Sequence, residues 1–472
     1  MIQKAICFSL IFSLYAYSAK SQESLGFSLD KYSGTHLIDL NPASSSISTH
    51  RWDFTLGSFH GFGYTDYGLL RTASLFNLSG KVEDAQVVES SVDIPDSNLG
   101  IPLIIFDEDG GNKKLSSHFE ITGPSILFSL NPTIKIGLFT KARGNISSFN
   151  VPEALGFYEL NNARFSDFQL SLSPTKASGM YWQEIGIHGS KQIENLSFGI
   201  NLRYLLGAEG FFIDNRGKAD LPFDINNLSV DGLPVDLEFG FTNSTLNTEN
   251  FSPFSNIDNG IGLGWDFGVT YQADRFRIGA SILDIGRISF TQNNEIFRLG
   301  NQSTIVDLTN YDLLTSTRQF LDQVLLDFDV DYDRSSAFKI GLPTALSLQG
   351  DMHIMDNYYI SATMTQRIPI FTNSLRRDNT LSVIPRYESK WLSAFLPITV
   401  YEYSRIRIGA AARFGFLTVG SDHIFSTITN SDFRGSDIYL KLSFFPFSNR
   451  TLSDRKNKKG NKGKGGLDCY TF

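Results

Sequence analysis

Cysteine is nearly absent: only Cys7 and Cys469 occur among 472 residues, one near each end. Cys7 lies in an apolar stretch expected to be removed, so the mature chain is left with one thiol and no intrachain disulfide. Histidine is sparse too. The seven (His36, His50, His60, His118, His188, His353, His423) are scattered, and no His-Glu-x-x-His, Gly-x-Ser-x-Gly or phosphate loop accompanies them. A non-enzymatic chain without a cofactor is the expectation. The net charge of −8 supplies no basic field, which argues against nucleic acid as a partner. Long apolar runs are also missing. Past the N-terminus the longest obvious one is Ile101–Phe106, IPLIIF, well short of the roughly 20 residues of a spanning helix. Mean hydropathy is −0.11. These figures exclude membrane helices but not a membrane β-barrel, whose strands alternate apolar and polar residues and dilute the signal.

What is abundant points to strands and turns: 13% aromatic residues and 40 glycines. Residues 1–21 read as a signal peptide, with the apolar core Ala5–Tyr17 and cleavage after Ser21, or alternatively after Ala19. One pattern recurs at Ile134–Leu138, Phe276–Ala280, Phe338–Leu342 and Ile406–Ala410. In each, a basic residue sits between apolar ones and a glycine follows. A period of two sends the apolar set to one face and the basic residue to the other. Lys135, Arg275, Arg277, Lys339, Arg405, Arg407 and Lys441 are therefore expected to face a lumen. Alternating segments flank short turns at Ile193–Asn195, near Asp274, at Asn131-Pro132 and at Asp356-Asn357. Long polar stretches, roughly 145–180, 209–259 and 287–335, separate the pairs. Short turns at one end and long loops at the other are the layout of an outer-membrane barrel, whereas such loops count against a compact soluble domain.

The fold expected is therefore all-β: a closed antiparallel transmembrane outer-membrane β-barrel of about 14 strands, with 12 or 16 left open. Its parts would be a plug segment at 22–50, the barrel at 51–448 and a basic periplasmic tail at 449–472. Two places resist assignment. Residues 82–117 have room for a further strand, and 379–404 reads as one crossing or two. The segment Ile438–Phe447, IYLKLSFFPF, suits a terminal strand with lipid on one side and a polar lumen on the other. Its Tyr439, Leu442, Phe444, Phe445 and Phe447 are the residues that barrel-assembly machinery would read, and its Phe-rich end would lie in an aromatic girdle.

Three stretches together carry a resemblance: LNPASSS (Leu40–Ser46), FKIGLPTALSLQGDM (Phe338–Met352), and RIGAAARFGFLTVGSDHIFS (Arg407–Ser426) ahead of the closing SDIYLKLSFF (Ser436–Phe445). The set resembles an uncharacterised outer-membrane β-barrel family of Bacteroidota, distantly similar to FadL-type barrels for hydrophobic compounds and to barrel adaptors of type IX secretion. The resemblance implies about 14 strands around an N-terminal luminal segment, and no reaction.

Several local features are candidates for function. Asn41-Pro42-Ala43 would start a short helix, with Asn as cap and Pro in the first turn, as part of a plug. Asp327, Asp329, Asp331 and Asp333 share one face of any strand, as a weak divalent-cation candidate or a solvated strand end, with Arg376 and Arg377 as cross-strand partners. Asp107–Asn112 starts like a calcium loop, but His118 stands where the closing Glu belongs. The tail Arg455–Gly466, with six basic residues, suits anionic lipid or an envelope protein. Two functions are carried forward: passive passage of a hydrophobic or small amphipathic compound, or a non-transporting adaptor in an envelope or secretion assembly.

Overall fold

The computed structural model describes residues 24–446 apart from 49, 84–85, 89–102, 107–111, 153–168, 173, 225–228, 234–235, 243–258, 301, 308–330 and 334–336. The expected signal peptide, Asp107 to Gly111, Asp327, Asp329, Phe447, Cys469 and the basic tail lie outside the described residues. For Asp331 and Asp333 only the backbone is described.

Period-two alternation over long segments makes strands, and strands with one apolar face can bury their edges only by closing on each other. Fourteen antiparallel strands do so here. They are β1 (Trp52–Thr65), β2 (Leu115–Thr122 continuing as Ser125–Asn131), β3 (Ile134–Phe149), β4 (Thr175–Ile193), β5 (Leu196–Asn215), β6 (Gly260–Gln272) and β7 (Phe276–Phe290). Next come β8 (Phe338–Gly341 continuing as Ala345–Met355), β9 (Tyr358–Arg367), β10 (Thr380–Glu388), β11 (Leu392–Phe395 with Ile398–Tyr401), β12 (Arg405–Ile408 with Ala410–Phe414), β13 (Leu417–Ser421) and β14 (Gly435–Phe444). Each strand pairs with the next, and β14 closes on β1 from Phe54↔Phe444 to Tyr64↔Gly435. The breaks in β2, β8 and β11 fall at Pro124, Pro343 and Pro397, where the missing N–H interrupts the ladder.

The stretch 379–404 therefore holds two crossings, β10 and β11. Within 82–117 a short strand, Gln86–Val88, pairs with Leu103–Phe106 in a small sheet outside the barrel, where Gly68–Ala73 and Ser431–Phe433 join them. The tight turns after β2, β4, β6 and β8 lie at one end, where Glu194 (φ 51°) and Asp356 (φ 46°) take left-handed geometry, and the tight β11–β12 turn at Glu402–Ser404 lies at the other.

Outward residues are apolar around the ring. Ile185, Ile187, Phe198, Tyr204, Trp265, Phe267, Ile278, Leu348, Ile360, Val383, Val419 and Leu440 are all exposed, while their neighbours along the strands turn inward and are mostly polar or small, with Leu205 and Ile384 as buried apolar exceptions. This is inverted relative to a soluble protein. In the closing strand, Leu440, Leu442 and Phe444 face out, and Tyr439, Lys441 and Ser443 face in. Phe445 departs from the girdle expectation. It turns inward, is buried, and stacks on His50 at 4.8 Å with Tyr32 at 5.4 Å. The N-terminal segment supplies the partner that draws it in.

Candidate functional site: a filled lumen

The lumen is occupied by the chain itself. Residues 24–48 run inside the ring as three short helical turns joined by bends, too short to be stable alone and held by the wall. Asn41 caps the 3-10 turn Pro42–Ile47, its Oδ1 accepting from Ala43 N at 2.8 Å, with Pro in the first turn. The other end of the Asn41 amide is the wall contact: Nδ2 donates to Val269 O at 3.1 Å, Ala280 O at 3.3 Å and Gln349 Oε1 at 2.9 Å. Those acceptors lie on β6, β7 and β8. The segment comes this close because the wall beneath it has no side chain. A Cβ on Gly268 would stand 2.0 Å from Asn41 Oδ1, and one on Gly199 would stand 2.3 Å from the Pro42 carbonyl carbon.

Four of the seven cations expected in the lumen are there, and two of them, Lys135 and Lys441, tie down this filling. Lys135 Nζ donates to Ser48 O, and Lys441 Nζ to Ser33 O at 3.2 Å. Arg277 lies 3.5 Å from Asp351, and Arg407 stacks 3.6 Å from the Tyr401 ring centroid. The other three are exposed. Arg275 sits in the β6–β7 turn before the strand begins, Arg405 sits at the β11–β12 turn over Tyr64, and Lys339 points outward from β8. Lys339 reverses because its neighbours Phe338 and Ile340 are the residues that fill the lumen there. Arg413, not singled out in the sequence, is buried and bonds Asp30 at 2.8 Å.

Above the N-terminal segment lies a block of paired charges. Asp284 receives Arg143 (2.8 Å), Arg203 (2.6 Å) and Arg377 (3.2 Å). Arg203 also meets Asp266 (2.5 Å), and Lys141 joins Asp39 (2.8 Å) to Glu120 (2.7 Å). A polar cavity of about 50 Å3 remains among them. Burial pushes the Asp39 carboxyl up, but the Lys141 ammonium and His36 overcome this and hold it below the usual carboxylate range. His36, Asp39 and Glu120 converge as metal ligands would, but the Lys141 ammonium already occupies the centre of that acidic group. Asp284 escaped the sequence reading because it breaks parity: as the second residue after outward Ile282, it should face out. A bulge between β6 and β7, with Asp284 at φ 56° and Gly286 at φ 157°, rotates it inward. A charge at an outward position followed by glycine was the available signal.

The loop 368–379, between β9 and β10, closes the other end. It adds to the free edge of β8, with Gly341 N donating to Asn373 O (2.7 Å) and Leu375 N to Gly341 O (3.0 Å). It then crosses the lumen to β2 and β3, where Ser116 Oγ donates to Asp378 (2.7 Å) and Arg376 N to Ser147 Oγ (3.0 Å). Burial, and then the Glu402 carboxylate, push Asp378 upward; burial pulls Arg376 down to about 10. Arg376 stacks on Phe149 at 3.7 Å and Arg377 holds Asp284, so both arginines are engaged away from the expected Asp-rich strand. Leu375 inserts into an apolar chamber whose walls are luminal side chains: Met180, Trp182, Leu205, Phe212, Ile288, Phe290, Ile296, Phe338, Ile340 and Leu342.

A family model described as a family of unknown function (DUF5723) matches residues 84–422. No curated protein matches. Among solved structures, a Pseudomonas aeruginosa FadL homologue is similar at 13% identity and TM-score 0.40, over 85% of this chain and 91% of that one. The TodX deltaS2S3 mutant monoaromatic hydrocarbon channel is similar at 11% and 0.42, over 90% and 96%. The P. putida toluene transporter TodX is similar at 11% and 0.39, over 90% and 97%.

Proposed function

This chain belongs to the family of unknown function DUF5723, and we propose that it is an outer-membrane barrel that passes hydrophobic or small amphipathic compounds when its inward loop withdraws. The carrying observation is the apolar chamber filled by Leu375. Ten buried apolar side chains cluster with a single leucine delivered by a loop, above a block of paired charges. A hydrophobic compound of similar shape competes with Leu375 for that space, because burying it yields about what burying the leucine yields. The outward apolar band supports the membrane location. Open β-sheet edges do not occur in hydrocarbon, and the described strands of this ring pair around to closure of β14 on β1.

The test is binding and passage of an apolar fluorophore by the purified barrel in proteoliposomes. Leu375→Ala is expected to raise both above the wild type. If neither form binds or passes the probe, the passage reading fails. The second reading, a non-transporting adaptor, then gains ground. It is supported by the charge block, which leaves only about 50 Å3 free below the chamber.

A further inference from the structure

At the long-loop end lies a groove of about 460 Å3 that carries Arg287, Lys339, Arg298, Glu238, Ile370 and Phe371 on its outer side and reaches inward to Phe212, Ile296 and Phe338 of the chamber. Across β7 and β8, Ser289 pairs with Lys339 and Arg287 with Gly341. The intervening Ile288, Phe290, Phe338 and Ile340 are buried in the lumen, so alternation sends Arg287 and Lys339 outward, and both are exposed. Gly341 leaves room outside the wall for Phe371, whose ring a Cβ there would meet at 2.7 Å. The Arg287 guanidinium lies 5.4 Å from the centroid of that ring.

Two further facts give the groove a ligand chemistry. The first is charge. Its lining carries three cations against one carboxylate, and Glu238 is already held by Arg298 (3.2 Å) and Arg216 (3.1 Å). Neither Arg287 nor Lys339 has a carboxylate partner among the described residues. The second is height. The outward residues of β6 run from Tyr271 to Ile261; at about 3.3 Å per residue and a tilt near 40°, they cover about 25 Å, the full apolar band. Ile261 pairs with Ser289, which pairs with Lys339. Arg287 and Lys339 therefore stand at the upper rim of the band, where acyl chains give way to phosphates.

We propose that Arg287 and Lys339 bind the phosphate of a phosphorylated glycolipid of the outer leaflet, with Ile370 and Phe371 against its first acyl carbons. Arginine offers a planar fork and lysine a point charge to one phosphate. The site rests on the outer-membrane reading but is independent of passage through the lumen.

The test uses full-length protein in detergent, titrated with bis-phosphorylated lipid A, dephosphorylated lipid A and inorganic phosphate in separate arms, and read by native mass spectrometry. Wild type is expected to retain the phosphorylated lipid. The double variant Arg287→Ala/Lys339→Ala is expected to lose about tenfold or more in affinity, and dephosphorylated lipid to bind wild type as weakly. Arg275→Ala, an exposed cation at the opposite end, is expected to bind like wild type. Unchanged retention by the double variant, equal binding of the dephosphorylated lipid, or saturation by inorganic phosphate at matching concentration would each overturn the site. Unaltered heat-modifiability of the variants on gels separates lost binding from lost folding. A chain that stays monomeric without detergent would instead sink the outer-membrane reading itself.

Discussion

At the scale of single residues, the account turns on which side chains are missing as much as on which are present. Gly199 and Gly268 leave the inner wall bare where Asn41-Pro42 docks, and the Asn41 amide then bonds strand carbonyls directly. Gly268→Val is expected to expel that contact, raising hydrogen exchange across 25–48 while the strands stay protected. Asn41→Ala removes the same bonds without a clash and is expected to cost about 1–3 kcal/mol, measured by urea unfolding in bilayers. The cap itself was legible in the sequence from Asn-Pro; the wall glycines were not, because a glycine in a strand reads alike whether it admits a plug or marks a bend. Protonation gives a further prediction. Burial holds His36 below its ordinary value, although Asp39 opposes this, and burial with the Arg407 charge brings His423 down to about 4. The unfolded chain then binds more protons than the folded one below about pH 6.5. Stability from these two groups is present above that pH and lost as pH falls towards 4. Hydrogen exchange at 34–40 and 421–429, corrected for intrinsic rates, is expected to speed up between pH 7 and pH 5; a flat profile would contradict the burial of His36 and the half-burial of His423.

At the scale of elements, the loop 368–379 is a connection used as a stopper. It is fixed by three kinds of contact: backbone pairing to Gly341, the Arg377–Asp284 ion pair and the buried Leu375. Leu375→Ala is expected to destabilise the closed loop by about 2–5 kcal/mol, and Arg377→Ala by a comparable amount, because it leaves Asp284 with fewer partners in a buried site. Protease cleavage within 368–379 of the folded barrel is the readout, and both variants are expected to be cut faster than wild type. Of the strands flanking this loop, β9 was legible because its alternation survives over ten residues, whereas β10 lay in 379–404, which reads as one crossing or two. The inward course of the loop was not legible. Arg376 and Arg377 announce charge without saying whether an acidic strand or a bulged aspartate receives it. Lys339 misled for a related reason: its motif matches Lys135 and Arg277, but a period-two pattern gives two faces without naming the inner one.

For the whole molecule, the ring of strands places apolar side chains outside and polar ones within, with the lumen filled from both ends. Alternation, turn spacing and the closing segment carried the ring of strands in the sequence, including a strand count near 14, but not the filling from the loop end. Contacts more than two hundred residues apart, such as Asn41 with Ala280, have no local signature and needed the structure. An arginine at Phe267, midway up β6, is expected to cost about 2–4 kcal/mol in a bilayer, far more than one at the loop-end residue Asn294. The most direct test of the account is a nitroxide scan along Glu184–Lys191 of β4 in lipid, with Cys7 and Cys469 replaced by serine. Ile185 and Ile187 are predicted to be open to dissolved oxygen and closed to an aqueous nickel reagent, while Glu184, Gly186 and His188 are closed to both. Nickel access at the alternate positions would mean a water-filled pore, and nickel access at every position would mean that no lipid surrounds this ring.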